Sequence, residues 1–237
     1  MAETGATLTL RPVWLVRHRE KHIQSGVNMI RNPLREAEEN NSLGVGSLTD
    51  GEVAQFTAAV EYLRSVIVAA FGVEWTDPVF SGDGYVVTEF PRSRGYFAGY
   101  DGVRKTARGY AVMSGDERNL EGGSVTFGRF EDAVKGYAAG VLDSFRTWRS
   151  GRYLGSVAWM WNGTIGPGVV AHLLGRSNTQ FRYFLEDDPS AWLEGDRVVA
   201  TLSHGLGMSI AAFIAVIVAH PKVTAEDATA WPKPVRS

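Results

Sequence analysis

The chain has no cysteine. That absence excludes disulfides, thiolate nucleophiles and cysteine-based zinc sites, and it fits a reducing compartment. Long apolar runs are missing too. The run through Ala211–Ala219 falls well short of the roughly 20 residues a membrane-spanning helix needs. Clustered charge of one sign is equally scarce, since no more than two Lys or Arg residues are adjacent and the formal net charge over 237 residues is −2. Broad attraction to nucleic acid or to an anionic membrane is therefore not expected. The segment from Met1 to Thr9 lacks the basic and apolar pattern of a secretory leader, so a soluble, cytoplasmic protein is expected. No spacing of His, Asp and Glu suggests a metal site, and Gly82-Asp83-Gly84 is too short for a dinucleotide fingerprint, so neither metal nor cofactor is expected.

What is present is a sequence that is 44% hydrophobic, enough for a substantial core in one domain spanning 1–237. Val13-Trp14-Leu15-Val16 has the length and composition of a buried strand, and it ends at Arg17-His18-Arg19-Glu20. A guanidinium and an imidazole at a strand end suit the binding of an anion, with the imidazole available as nucleophile. The polar stretch 20–47 reads as a long loop. Thr49-Asp50-Gly51-Glu52 has the spacing of a capping box, and Val53, Phe56, Val60, Leu63 and Ile67 follow at helical steps, predicting a helix from about Asp50 to Ala70.

Pro78-Val79-Phe80 reads as a short strand entering the Ser81-Gly82-Asp83-Gly84 turn, and residues 91–124 as irregular or hairpin structure. Phe130, Val134, Tyr137, Val141 and Phe145 mark a second long helix ending near Arg149-Ser150-Gly151. Further on, Ser156–Trp161 is a candidate strand and Gly168–Leu174 a candidate apolar helix carrying His172. Ala191–Leu193 and Arg197–Leu202 read as a strand pair about the Glu194-Gly195-Asp196 turn. A helix from about Met208 to Ala219 follows, and then a Pro-containing tail from about 221. Alternating strands and helices predict a three-layer α/β/α sandwich with a mainly parallel sheet.

Leu15-Val16-Arg17-His18-x-Glu20, then Leu48-Thr49-x-Gly51-x-x-x-Gln55, then Pro78-Val79-Phe80-Ser81, together resemble the histidine phosphatase superfamily, the phosphoglycerate mutase-like fold. The resemblance implies a metal-independent hydrolase or mutase acting on a small anionic substrate. It implies Arg17 as phosphate clamp, His18 as nucleophile and Glu117 as proton donor, with Ser81 beside them; Arg19 departs from the family's Gly and, with Arg92, is a candidate to supply substrate-binding charge. Val86 stands where the family has its second Arg, which Arg92 or Arg94 would have to replace. For the second His there are two registers, Asn162 or His204, with Asn162 favoured. The loss of those donors raises an alternative: a diverged member using the same pocket for acid–base chemistry, of lyase, isomerase or cyclase type, or a domain that only binds. A homodimer is an open alternative as well. Trp159 and Trp161, two apart, place aromatic bulk on one face near Asn162.

Overall fold

The computed structural model describes residues 46–71, 79–90, 99–116, 119–150, 161, 163–175 and 179–219. Helix α1 (Asp50–Phe71) begins as its capping box requires. The Thr49 N–H donates to Glu52 Oε2 at 2.7 Å and the Glu52 N–H to Thr49 Oγ1 at 3.2 Å. The Tyr110 hydroxyl donates to the other Glu52 oxygen, pinning the helix start to the sheet. Burial and the carboxylate of Glu52 push the Tyr110 hydroxyl up to about 12. Phe56, Val60, Leu63 and Ile67 are fully buried on one face.

Among the described residues the sheet has eight strands: β1 (Val79–Gly82), β2 (Tyr85–Phe90), β3 (Gly99–Thr106), β4 (Gly109–Asp116), β5 (Asn119–Phe127), β6 (Val169–Leu173), β7 (Phe181–Leu185) and β8 (Trp192–Gly195). Their order is β1-β2-β3-β4-β5-β8-β7-β6, and every pairing is antiparallel. This overturns the expected parallel sandwich, and with it the phosphoglycerate mutase-like architecture. The physical reason lies in the connections. Asp83-Gly84 joins β1 to β2 and Ala107-Arg108 joins β3 to β4, and two residues can link only antiparallel neighbours, whereas a parallel pair needs a crossover of about a dozen or more. Gly84 takes the positive φ of 75° that such a turn demands.

The described part of 91–124, read as irregular or hairpin structure, takes the hairpin form, with β3, β4 and most of β5 as antiparallel neighbours. Two other expectations change. Gly168–Leu174 forms strand β6, not a helix, so His172 is an exposed strand residue and not a core histidine. Arg197–Leu202 belongs to a 3-10 helix (Arg197–Gly205), whose cap Asp196 accepts from the Val198 N–H at 2.9 Å. Helices α2 (Phe130–Ser150) and α3 (Ile210–Ala219) agree with their apolar spacing.

The described helices lie on one side of the sheet. α2 packs on β3, β4 and β5, and α1 and α3 pack on α2 and on each other. As a result α2 is buried around its whole circumference from Asp132 to Asp143, apart from a partial opening at Gly140. Among the described residues no single helix is long and apolar enough to cross a membrane.

The opposite face of the sheet follows from the register. Paired residues share a face, so Tyr85, Val87, Tyr100 and Met113 sit together opposite the helices and form a small second cluster. The same face continues through Thr126, Glu194 and Trp192 to Arg182 and Phe184, and ends at His172 and Val170 on β6.

Candidate functional site

Two of the predicted site residues fall among those described. Ser81 is exposed on edge strand β1, on the helix side of the sheet by its pairing with Val86. His204 closes the 3-10 helix, which packs on β7, β8 and α2. Five strand intervals separate β1 from β8, about 24 Å at the usual spacing, so Ser81 and His204 do not share a site. Val86 is fully buried in the main core and faces α1 and α2 rather than an anion. Arg17, His18, Arg19, Arg92, Arg94, Glu117 and Asn162 lie outside the described residues, as do the strand-like runs at 13–16 and 156–160.

His204 is half-buried and held on two sides. Its ring stacks on Trp161 with centroids 4.4 Å apart and planes 5° from parallel, and Trp161 in turn stacks on Phe213 at 6.3 Å. Its Nε2 lies 3.3 Å from Thr164 Oγ1. The Thr164 hydroxyl donates to the Trp161 carbonyl, an arrangement that favours the His204 tautomer with its proton on Nε2. Burial lowers the His204 pKa, and the contact with Thr164 opposes that only in part. The neighbouring Ser203 is structural. Its hydroxyl donates to the Ala200 carbonyl and accepts from the Gly166 N–H at 2.8 Å, fully out of solvent. Gly166 permits this close approach, since a Cβ there would lie 2.7 Å from the Ser203 carbonyl oxygen.

A proton refused by the fold and accepted by the unfolded chain makes stability fall as pH drops. Because the folded pKa of His204 is below 6.5, its stabilising contribution is full above that value and lost below it. Urea midpoints of the wild type should drop between pH 7.5 and 5.5 more steeply than those of His204→Gln. Equal slopes would remove the assignment.

Behind His204 runs a chain of charges that sequence reasoning missed. The Lys135 ammonium, 3% exposed, pairs with Asp132 at 2.6 Å and donates to the carbonyls of Gly205 at 2.7 Å and Met208 at 2.8 Å. Asp132 also accepts from Arg129 Nε at 2.9 Å, and Arg129 Nη1 reaches Asp188 at 2.7 Å. The network ties α2 to the end of the 3-10 helix and to the β7–β8 turn. Its signal was present as Arg129-x-x-Asp132-x-x-Lys135, a spacing that stacks side chains along one helix face. The crevice beside it, lined by Phe127, Asp132, Lys135, Gly205, Leu206 and Phe213, is packed shut.

The second missed constellation is on the face of the sheet opposite the described helices. Glu194 is buried, and Arg182 Nε donates to its Oε1 at 2.8 Å while Arg108 Nη1 lies 3.1 Å from its Oε2. The Arg182 guanidinium also lies 4.7 Å over the Trp192 ring. Trp192 is seated against Gly128, where a Cβ would collide with the indole. Next to it, Phe184 meets His172 edge to face at 5.0 Å. Arg108 is 70% exposed, and His172 is exposed as well. Among the described residues no three His, Asp or Glu side chains are grouped to hold a metal ion.

No family model, curated protein or solved structure matches the chain.

Proposed function

We propose that the protein is a binding domain in which the sheet face opposite the described helices receives an acidic segment of another protein. The observation that carries this reading is the Arg182–Trp192–Glu194–Arg108 constellation, with Phe184 and His172 beside it. Arg and aromatic residues are the side chains most often found carrying binding energy at interfaces. Here they are held in place before a partner arrives: Glu194 fixes two guanidinium groups, and each Arg has five N–H donors, of which Glu194 uses a minority. Arg104 lies on the same face of the sheet. The face is broad and flat, spanning β5, β8, β7 and β6, about 15 Å across at ordinary strand spacing. That shape suits a peptide surface better than an enclosed metabolite.

The test is a titration of isotope-labelled protein with short peptides alternating Asp or Glu with aromatic residues. Shifts are expected at the Trp192 indole N–H, Arg182, Phe184 and His172. Arg108→Glu should weaken binding by roughly tenfold, since it reverses a charge at the exposed rim of the site. Shifts centred on Trp161 and His204 would move the site to the other side of the sheet.

The phosphoryl-transfer reading through His18 has lost the parallel-sheet edge that motivated it. A phosphohistidine trapped with an activated phosphate ester, and absent from His18→Ala, would restore it.

A further inference from the structure

Among the described residues β6 is the outermost strand on its side of the sheet, and its hydrogen-bond ladder decides which backbone groups are committed. The Leu174 N–H donates to the Gln180 carbonyl at 2.8 Å and the Glu186 N–H to the Gly168 carbonyl at 3.0 Å. Bonded and non-bonded pairs alternate along an antiparallel ladder. Val170 and His172, opposite Phe184 and Arg182, therefore turn their N–H and C=O toward β7, while Val169, Ala171 and Leu173 turn theirs to the open edge. The Val169 N–H is committed to the Gly166 carbonyl at 3.2 Å. What remains at the edge is the Val169 carbonyl and both groups of Ala171 and Leu173. Sheet edges are ordinarily protected by Lys, Pro, a bulge or an inward charge. Val169-Val170-Ala171-His172-Leu173 has none of these, its register with β7 is unbroken, and Leu173 is 47% exposed.

We propose that β6 is a self-recognition edge: two copies of this chain pair their β6 strands antiparallel about a two-fold axis through Ala171, joining two sheets into one. The open groups match under that symmetry. Ala171 and the partner's Ala171 exchange two bonds at the centre, and each Leu173 N–H reaches the partner's Val169 carbonyl. The bonded N–H of Val169 is left out of the pairing. On the helix side, Leu173 meets the partner's Val169 and Ala171 the partner's Ala171, so the exposed leucine gains an apolar neighbour. On the other side His172 faces the partner's Val170. No like charges oppose each other, because the strand's one ionisable residue faces an apolar one. A slip of one residue would turn the open groups away from each other and put Leu173 on the wrong face. The two sheet faces that carry Arg182 and Trp192 would become continuous, but the pairing uses none of those side chains and stands apart from the acidic-partner reading.

Sedimentation velocity of the full chain over a dilution series should show a reversible dimer. Amide exchange of the wild type, dilute and concentrated, should show slowing at Ala171 and Leu173 on concentration and no change at Val169. Ala171→Pro removes an outward N–H without touching the β7 ladder, and Leu173→Lys adds an edge charge. Each should weaken the dimer at least about tenfold. If the proline variant loses its fold, the lysine variant and the wild-type exchange pattern decide. A wild type that stays monomeric at several hundred micromolar would overturn the proposal. So would a dimer indifferent to Leu173→Lys, or concentration-dependent protection confined to other strands or helices.

Discussion

Replacing Lys135 with alanine is expected to destabilise the fold by about 3–5 kcal/mol, the usual cost of removing one partner from a buried ion pair. Asp132 would be left charged and 1% exposed on its side chain, with Arg129 as its remaining cation, and the carbonyls of Gly205 and Met208 would lose their donor. Urea denaturation measures the loss. The cause can be separated from simple loss of volume. Lys135→Met with Asp132→Leu removes both charges together and should recover a large part of the stability, because a buried pair is often replaceable by apolar residues of similar size. A loss under about 1 kcal/mol for the single variant would show that water or a rearranged Arg129 takes over the role.

Phe213→Ala should cost about 3–5 kcal/mol as well, through lost burial and the cavity left behind. Phe213 is fully buried on α3, and its ring lies so close to the Gly205 backbone that a Cβ there would be 2.8 Å away. It also backs Trp161, which backs His204. The substitution therefore has a second expected effect, a rise in the His204 titration midpoint toward its ordinary value as the stack loosens and water reaches the imidazole. Loss of stability with no movement of that midpoint would separate the packing role of Phe213 from any control of His204.

The helices were legible because their apolar residues recur at three- and four-residue steps and because Thr49 and Glu52 form a capping box. Strands β3 to β5 were legible only as one of two readings, irregular or hairpin. Gly102, Gly115, Gly122 and Gly123 interrupt their alternation. Yet Gly102 is required where it stands, since a Cβ would lie 2.1 Å from the Val86 carbonyl oxygen of the neighbouring strand. Val169–Leu173 is a short apolar run that periodicity cannot assign, and β-branched residues bounded by Gly168 and Gly175 favoured the strand. Arg197-Val198-Val199 has strand composition, but the Asp196 cap bends it into a 3-10 turn. Of the candidate site, His204 was visible as a Ser-His-Gly triplet. Arg182, Trp192 and Glu194 were invisible as a group because pairing across β7 and β8, not proximity in sequence, brings them together.

The two halves of the sheet meet at β5 and β8 through only two residue pairs, Thr126 with Glu194 and Phe127 with Leu193. Every other junction has at least four pairs. A ladder this short holds few slowly exchanging amides of its own, so β1–β5 and β6–β8 are poised to open as separate cooperative units, with α2 as the element that couples them. Closing that seam brings together strands separated in sequence by the whole of α2, β6 and β7, a long loop whose ordering must precede any reward from the contact. The seam is therefore where folding should finish last, and where the molecule should first come apart under load.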